Sequence, residues 1–522
     1  MRRIAPAALK AAIQDRAELA ILDAREEGEF GTSHLFWAVP CPLSRAEATA
    51  RRLLPRLSAR IVVTDDGRGL AERLALYLEG LGATDVAVLD GGTPAWAAAG
   101  FVLFSGVNVP SKAFGEWVEH HYGTESVDPP ELKSWLDQGR KMVVLDSRPL
   151  DEYRRMSIPT GINVPGGELV YRFGDLVPDP DTLVVVNCAG RTRSILGAES
   201  LRRAGVPNRV VALRNGTMGW ELAGFTCDRG RTDRYPEGTP RGAAEALSRA
   251  DAFAQASGVR FCTLADLAAF PAEAARTLYL LDVRDPAEFA AGHVPGAVSA
   301  PGGQLVQATD RWIAVRGARI VLADDTGTRA RMTAAWLRQM GHAEVFVLAD
   351  ARDGASETGS SPDRVPEAEA IAAPLVGPDA VDGAAVVDLS RSIAFRESHI
   401  PGALWGIRTR LAALAPRLPR QGRIVVCAPD PAQARLAVPE LRALTAAEVA
   451  ILDGGLAAWR EAGRPVEADR HTPPDEACAD VYLRPYDRNE GVEEAMKAYL
   501  SWEIDLVREI ARDGTVRFGA SA

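Results

Sequence analysis

Four stretches of this chain are written on one pattern, and that internal repeat constrains the fold more than any other feature. A β-branched run ending in an acidic residue recurs as AILDAREEGEF around Asp23 and Arg25, VVLDSRPLDEY around Asp146 and Arg148, YLLDVRDPAEF around Asp282 and Arg284, and VVDLSRSIAF around Asp388. A closing segment recurs as AVLDGGTPAWAAAGF, VALRNGTMGWELAGF and AILDGGLAAWREAG, and in the third copy only as the truncated FVLAD. Between them lie HLFWAVPCPL, SIPTGINVPGGEL, HVPGAVSAPGGQL and HIPGAL. Such self-similarity marks a tandem array. Each copy alternates short β-branched runs with helical patterns of roughly 10 to 15 residues, the signature of βα units winding a parallel sheet. The expected architecture is α/β: four tandem domains at 1–104, 125–226, 256–352 and 368–468, each a small parallel sheet with helices on both faces, then a helical tail at 469–522.

The segments between copies are expected to be linkers: GVNVPSKAFGEWVEHHYGTESVDPP, the polar CDRGRTDRYPEGTPRG, and ARDGASETGSSPDRVPE, the most flexible of the three. In the tail, Val492, Met496, Tyr499, Leu506, Val507 and Ile510 fall at near-helical spacing. That pattern predicts an amphipathic helix that packs on a neighbouring domain, lies over the site described next, or makes a dimer.

Composition excludes several classes of function. A net charge of -10 without a basic block argues against nucleic acid as a partner. No apolar run approaches the roughly 18 residues of a membrane helix. The opening MRRIAPAALKAAIQDRAE breaks into charge too soon for a signal peptide, so a cytoplasmic protein is expected. The six cysteines, Cys41, Cys188, Cys227, Cys262, Cys427 and Cys478, are dispersed. They suggest reduced thiols rather than a disulfide framework, and their spacing predicts neither a metal site nor a cofactor site.

Chemistry concentrates in LVVVNCAGRTRSILGAESLRRAG, residues 183–205. The run Leu183–Val186 predicts a buried strand and Ile195 onward a helix, so Cys188 falls where strand ends and helix begins. There the unpaired N–H groups and positive dipole end of the helix face whatever the sulfur carries, a cradle for an anion. Arg191 and Arg193 add positive charge, Gly190 lets the backbone curl, and the setting favours a nucleophilic thiolate. The candidate site is Cys188 as nucleophile, with Arg148, Ala189, Gly190, Arg191, Thr192, Arg193 and Ser194 around the substrate. Alternatives stay open for several of these: Arg148 pairs with Asp146 or Glu152, Arg191 points to solvent, or Ser194 caps the helix.

The loop CAGRTRS, with the upstream Asp146-x-Arg148 and the downstream Gly-turn and Trp-x-x-x-Gly helix, resembles the rhodaneses, sulfurtransferases that carry sulfane sulfur as a cysteine persulfide. The resemblance implies ping-pong transfer through Cys188 from thiosulfate, or a similar anionic donor, to a thiol or cyanide. Its partners would be a small-molecule donor and a thiol acceptor, with an acceptor protein as a further possibility. It also implies that an inactive unit supports an active one, with units one and two forming one such pair and units three and four a second. Aligned on the preceding strand, the position of Cys188 holds Asp65, Asp324 and Ala428 in the other copies, which are expected to be catalytically empty. Three alternatives remain: a 3-mercaptopyruvate sulfurtransferase, a non-enzymatic persulfide carrier, and a phosphatase of the same fold. The second unit departs from the pattern at Ser157, where the others have His34, His293 and His399.

Overall fold

The computed structural model describes residues 1–273, 275–360 and 365–519. Residues 361–364, in the middle of the third expected linker, lie outside the described residues. Four sheets follow one another along the chain, and in units two to four the strands take the spatial order first, fifth, fourth, second, third. Unit two shows the plan, with strands Ser126–Val127, Met142–Asp146, Ile162–Asn163, Leu183–Asn187 and Val210–Leu213, all parallel. Leu183–Asn187 lies at the centre and every residue is buried, which explains an uninterrupted β-branched run where a half-exposed strand would alternate. Unit one adds a sixth strand, because Val315–Arg316 of unit three pairs antiparallel with Leu19 and Ala20.

Units one to three are stapled alike. Arg148 donates from Nε and Nη2 to the two oxygens of Asp146 at 2.9 and 2.7 Å, and Arg25 does the same to Asp23 at 2.9 and 2.7 Å. In unit three Arg284 repeats the pattern on Asp282 at 3.0 and 2.6 Å. His34, His293 and His399 stack on Phe30, Phe289 and Phe395, with ring centroids 3.8–3.9 Å apart. In unit two Tyr153 stands at the phenylalanine position, its hydroxyl donating to the carbonyl of Gly161 at 2.6 Å, and Ser157 stands at the bridge position of the histidines, so the stacked pair is absent.

The pairing of units differs from the expectation. Unit two faces unit three, with Gly166 and Gly167 set against Gly302 and Gly303 so closely that a Cβ on Gly303 would stand 2.7 Å from the Gly167 nitrogen. Units one and four face each other, with Glu47 held by Arg408 at 2.6 and 3.0 Å and Glu367 by Arg51 at 2.7 and 3.1 Å. Through these turns the units meet two with three and one with four, while unit three also joins unit one through the added strand and through Thr277 and Tyr279, which donate to Glu18 and the Leu53 carbonyl. The reason is local: two glycines in each of units two and three allow backbone to meet backbone, whereas the matching turns of units one and four carry Leu43, Ser44, Arg408 and Thr409 and meet through side chains.

Two other segments also depart from their expected roles. The first expected linker contains a helix, Val109–Tyr122, with one face buried against the helix that follows the Cys188 loop. His120 and His121 end that helix, exposed, with His121 stacked on Trp117. The tail forms the helix Val492–Asp513, which packs within the chain and buries Met496, Leu500, Glu503, Leu506 and Ile510. Leu500 and Glu503 lie on that face, which the apolar pattern alone places differently, because Lys112 takes up the Glu503 charge.

Candidate active site

Cys188 stands directly after Leu183–Asn187 and four residues before the helix Thr192–Arg203. Its thiol is 2% exposed and donates to the Ser194 hydroxyl at 3.5 Å, while Ser194 donates to the Arg191 carbonyl at 2.8 Å. What that position is built to hold is visible in the units that lack the thiol. In unit one the Asp65 carboxylate accepts from the N–H groups of Gly67, Leu70 and Ala71 at 2.8, 2.8 and 3.2 Å. In unit three Asp324 accepts from Thr326, Arg329 and Ala330 at 3.4, 2.8 and 3.2 Å. Each aspartate is an anion in a cradle of backbone donors at a helix N-terminus. The corresponding residues in unit two are Gly190, Arg193 and Ser194.

The loop is locked from its far side by the closing segment. Thr217 and Met218 donate their N–H groups to the carbonyls of Cys188 and Ala189 at 2.9 and 3.0 Å. Gly216, at φ +55°, approaches so closely that a Cβ would lie 2.2 Å from the Cys188 carbonyl oxygen. Gly92 and Gly455 stand in the same relation to Asp65 and Ala428. The glycine turn recurs in the sequence for this reason: it lets backbone touch backbone under the loop.

The arginines are not equivalent. Arg191, expected at the substrate, is buried and turned into the first interunit helix, with Nε and Nη2 on Glu116 at 2.7 and 2.8 Å, a further contact to Glu119, and Nη1 on Asn215 at 3.3 Å. Against the cost of burial, Glu116 holds the Arg191 charge, while burial pushes Glu116 itself up to about 7. Arg148 is likewise committed to Asp146 and to the Met156 carbonyl at 2.6 Å, a pattern present in units without the cysteine. Arg193 is held by Glu152 at 2.9 and 2.7 Å, and its charge also senses Cys188. Thr192 donates to Glu503 of the tail helix at 3.3 Å.

Beside the loop, walled by the neighbours of Cys188 and not by Cys188 itself, lies a cavity of about 110 Å³, to which Arg148, Ala189, Arg193 and Met218 contribute from unit two. Gln304 and Arg311 come from unit three, Glu27 from unit one, Asn108 and Lys112 from the interunit segment, and Tyr482, Tyr486 and Tyr499 from the tail. The tail helix borders the loop itself, since a Cβ on Gly190 would meet Glu503 Oε2 at 3.1 Å and Tyr499 at 3.4 Å. Lys112, buried, reaches Glu503 at 3.1 Å and sits over the Tyr499 ring. Sequence reasoning named Glu152 only as a partner for Arg148, not for Arg193, and left out Glu116, Lys112 and Glu503. Only Glu152 had a signal, because the glutamate six residues after the motif aspartate recurs as Glu29 and Glu288.

The remaining cysteines stand elsewhere. Cys227 packs with Val144, Met156 and Trp220 in the core of unit two, apart from the loop. Burial pushes the thiols of Cys41, Cys227 and Cys262 up to about 12, and raises Cys427 and Cys478 as well. Among the described residues no group of three or more His, Cys, Asp or Glu side chains is placed to hold a metal, and no helix is long and apolar enough to cross a membrane.

Comparison with known proteins agrees with this geometry. The rhodanese-like domain family matches residues 5–99, 128–223 and 264–354. The crystal structure of thiosulfate sulfurtransferase from Pseudomonas aeruginosa is 45% identical, with 99% of each chain covered and a TM-score of 0.92. The HTH-type transcriptional regulator Rv0324 of Mycobacterium tuberculosis is 34% identical over 91 residues, which span 17% of this chain and 39% of that protein. The fourth unit is not among the three matched segments but repeats the strand order of units two and three. With three matched domains, a relative alike over its whole length and one sheet plan throughout, the chain belongs to the rhodanese family.

Proposed function

We propose that this protein is a sulfurtransferase that moves sulfane sulfur from thiosulfate, or a similar anionic donor, to a thiol or cyanide through a persulfide on Cys188. The observation that carries this reading is the pair of aspartates, Asp65 and Asp324, each seated in the donor cradle at the loop position that unit two gives to a thiol. The full-length likeness to a thiosulfate sulfurtransferase supports it. The Cys188 thiolate attacks the outer sulfur of thiosulfate; a sulfur–sulfur bond forms as the donor's own breaks, and sulfite leaves with the bonding pair. The terminal persulfide sulfur, stabilised by the cradle N–H groups, is then taken by cyanide or an acceptor thiolate, and the Cys188 thiolate is restored. Arg193 supplies the positive charge that acts on the sulfur, while Arg148 and Arg191 hold the loop and its strand in place.

Units one, three and four are catalytically empty on this reading. Units one and three still serve the site, because Glu27, Gln304 and Arg311 wall the cavity. The phosphatase alternative is less favoured because the loop from Cys188 to Arg193 spans only six residues, one shorter than in phosphatases of this fold. The test is peptide-mapped mass spectrometry of the reduced protein after thiosulfate and after 3-mercaptopyruvate, with cyanide added to half of each sample. One extra sulfur on the Cys188 peptide, removed as thiocyanate, is expected with thiosulfate. Sulfur spread over several cysteines, or none on Cys188 with either donor, would overturn the assignment.

A further inference from the structure

The cavity at Cys188 has a counterpart in the other pair of units. Where the loop of unit two looks toward Gln304 and Gln307 of unit three, the loop of unit four, at Asp430, Ala432 and Gln433, looks toward Ser44 and Arg45 of unit one. The correspondence is residue by residue: Leu43 donates its N–H to the Ala24 carbonyl as Gly302 does to Val283, so Arg45 stands where unit three has Gln304. The thiol position is Ala428, yet the space has not closed. It measures about 470 Å³, against about 110 Å³ beside Cys188.

On the wall of this space two arginines, Arg391 and Arg408, are taken up by carboxylates, and Arg45 is not. Glu47 is taken by Arg408 at 2.6 and 3.0 Å, and Glu27 by Arg391 at 3.0 Å. Asp430 accepts from the Ala432 N–H at 2.9 Å and caps its helix. Among the described residues, Arg45 has no carboxylate within ion-pair distance; burial together with the neighbouring Arg391 lowers its pKa, and the more distant carboxyls of Glu26, Asp480 and Asp430 offset this only in part. Beside it the Ser44 hydroxyl is buried without a well-formed hydrogen bond, its neighbour being the Glu26 carboxyl, which burial pushes up. Asp310 Oδ1 and Gln433 Oε1 in the lining are buried and unpartnered too. Buried polar atoms are ordinarily bonded, so a donor pair, Arg45 and Ser44, and an acceptor pair, Asp310 and Gln433, here await a partner that brings both an oxyanion and a hydrogen-bond donor.

We propose that the cleft between units one and four is a second, non-catalytic ligand site for a small organic acid that also carries a hydroxyl or ammonium group. Its carboxylate sits on Arg45 and Ser44, and its hydroxyl or ammonium donates to Asp310 and Gln433. No bond is made or broken there.

Calorimetric titration of the full chain with L-malate, L-aspartate, succinate and sulfate tests this. Malate or aspartate should bind at one site per chain and more tightly than succinate or sulfate. Arg45→Gln, which installs the residue found at the matching place in unit three, should weaken binding about tenfold or more, as loss of a charge-assisted hydrogen bond does. Arg45→Lys should retain part of it, and Cys188→Ser all of it. Far-UV circular dichroism checks the fold of each variant, and Ser44→Ala, a smaller change, gives a second measure of the same donor pair. The absence of binding by all four acids would overturn the proposal. So would binding lost in Arg193→Ala but kept in Arg45→Gln, which would place it at Cys188. Sulfate bound as tightly as malate would leave the acceptor pair without a role and overturn the ligand class.

Discussion

Arg193 and Glu152 form a two-point ion pair, Nη1 to Oε1 at 2.9 Å and Nη2 to Oε2 at 2.7 Å, at the inner wall of the Cys188 cavity. The same pair recurs in unit three between Arg329 and Glu288 at 2.5 Å, where an aspartate replaces the cysteine. The clamp therefore belongs to the fold, and unit two places it beside a thiol. Arg193→Lys keeps the charge and loses the fork. We expect kcat/KM for thiosulfate to fall roughly 10- to 100-fold, less than the roughly 100- to 1000-fold of a fully lost transition-state donor because the charge is kept, with a small change in melting temperature. Steady-state kinetics beside thermal melts checks this, and unchanged kinetics would reduce Arg193 to a clamp.

The same pair sets a pH dependence. Against the cost of burial, Arg193 holds the Glu152 carboxyl well below the usual carboxylate range. A carboxyl depressed in the folded state binds fewer protons there than in the unfolded chain, so its stabilisation is present above the unfolded value and lost as pH falls toward the folded one. Melting temperature should drop through the acid range below about pH 4.5, the ordinary glutamate value. Glu152→Gln should flatten part of that slope. A slope identical in the variant would assign the acid sensitivity elsewhere.

Thiol reactivity should be confined to one residue. With burial pushing Cys41, Cys227 and Cys262 up to about 12, these thiols are protonated at neutral pH and shielded. Iodoacetamide at pH 7.5 is expected to label Cys188 first, and Cys188→Ser to abolish the fast phase. Peptide mapping that found Cys227 labelled at a similar rate would contradict its place in the core.

The cradle can be tested apart from catalysis. Asp65 satisfies three backbone donors at the start of the helix Leu70–Gly80. Asp65→Ala should lower stability by about 1–2 kcal/mol, the worth of a helix cap, and leave sulfur loading of Cys188 unchanged. Chemical denaturation and the loading assay together decide it.

Gly216 gives the sharpest structural prediction. A methyl group there would stand 2.2 Å from the Cys188 carbonyl at a backbone angle disfavoured for side chains. Gly216→Ala should displace the loop and abolish loading even if the protein folds, whereas Gly224→Ala, with nothing near its Cβ, costs only its positive-φ strain. Loading retained in Gly216→Ala would show that the loop tolerates the shift.

The sequence by itself determined the repeat, the parallel sheets and a cysteine at a strand–helix junction, because periodicity, turn chemistry and helix starts are properties of neighbours along the chain. It also marked which loops lack the thiol, since the strand before each loop aligns them. What it left undecided were partners far apart in sequence. Arg191 meets Glu116 from a segment expected to be a linker, and Gly190 is bordered by Glu503 and Tyr499 of the tail. Only the tertiary structure decided that the units pair two with three and one with four. Glycine faces that let backbones touch, and long arginines that reach across a gap, choose partners by the shape and charge of the packed surfaces, and that choice has no period in the sequence.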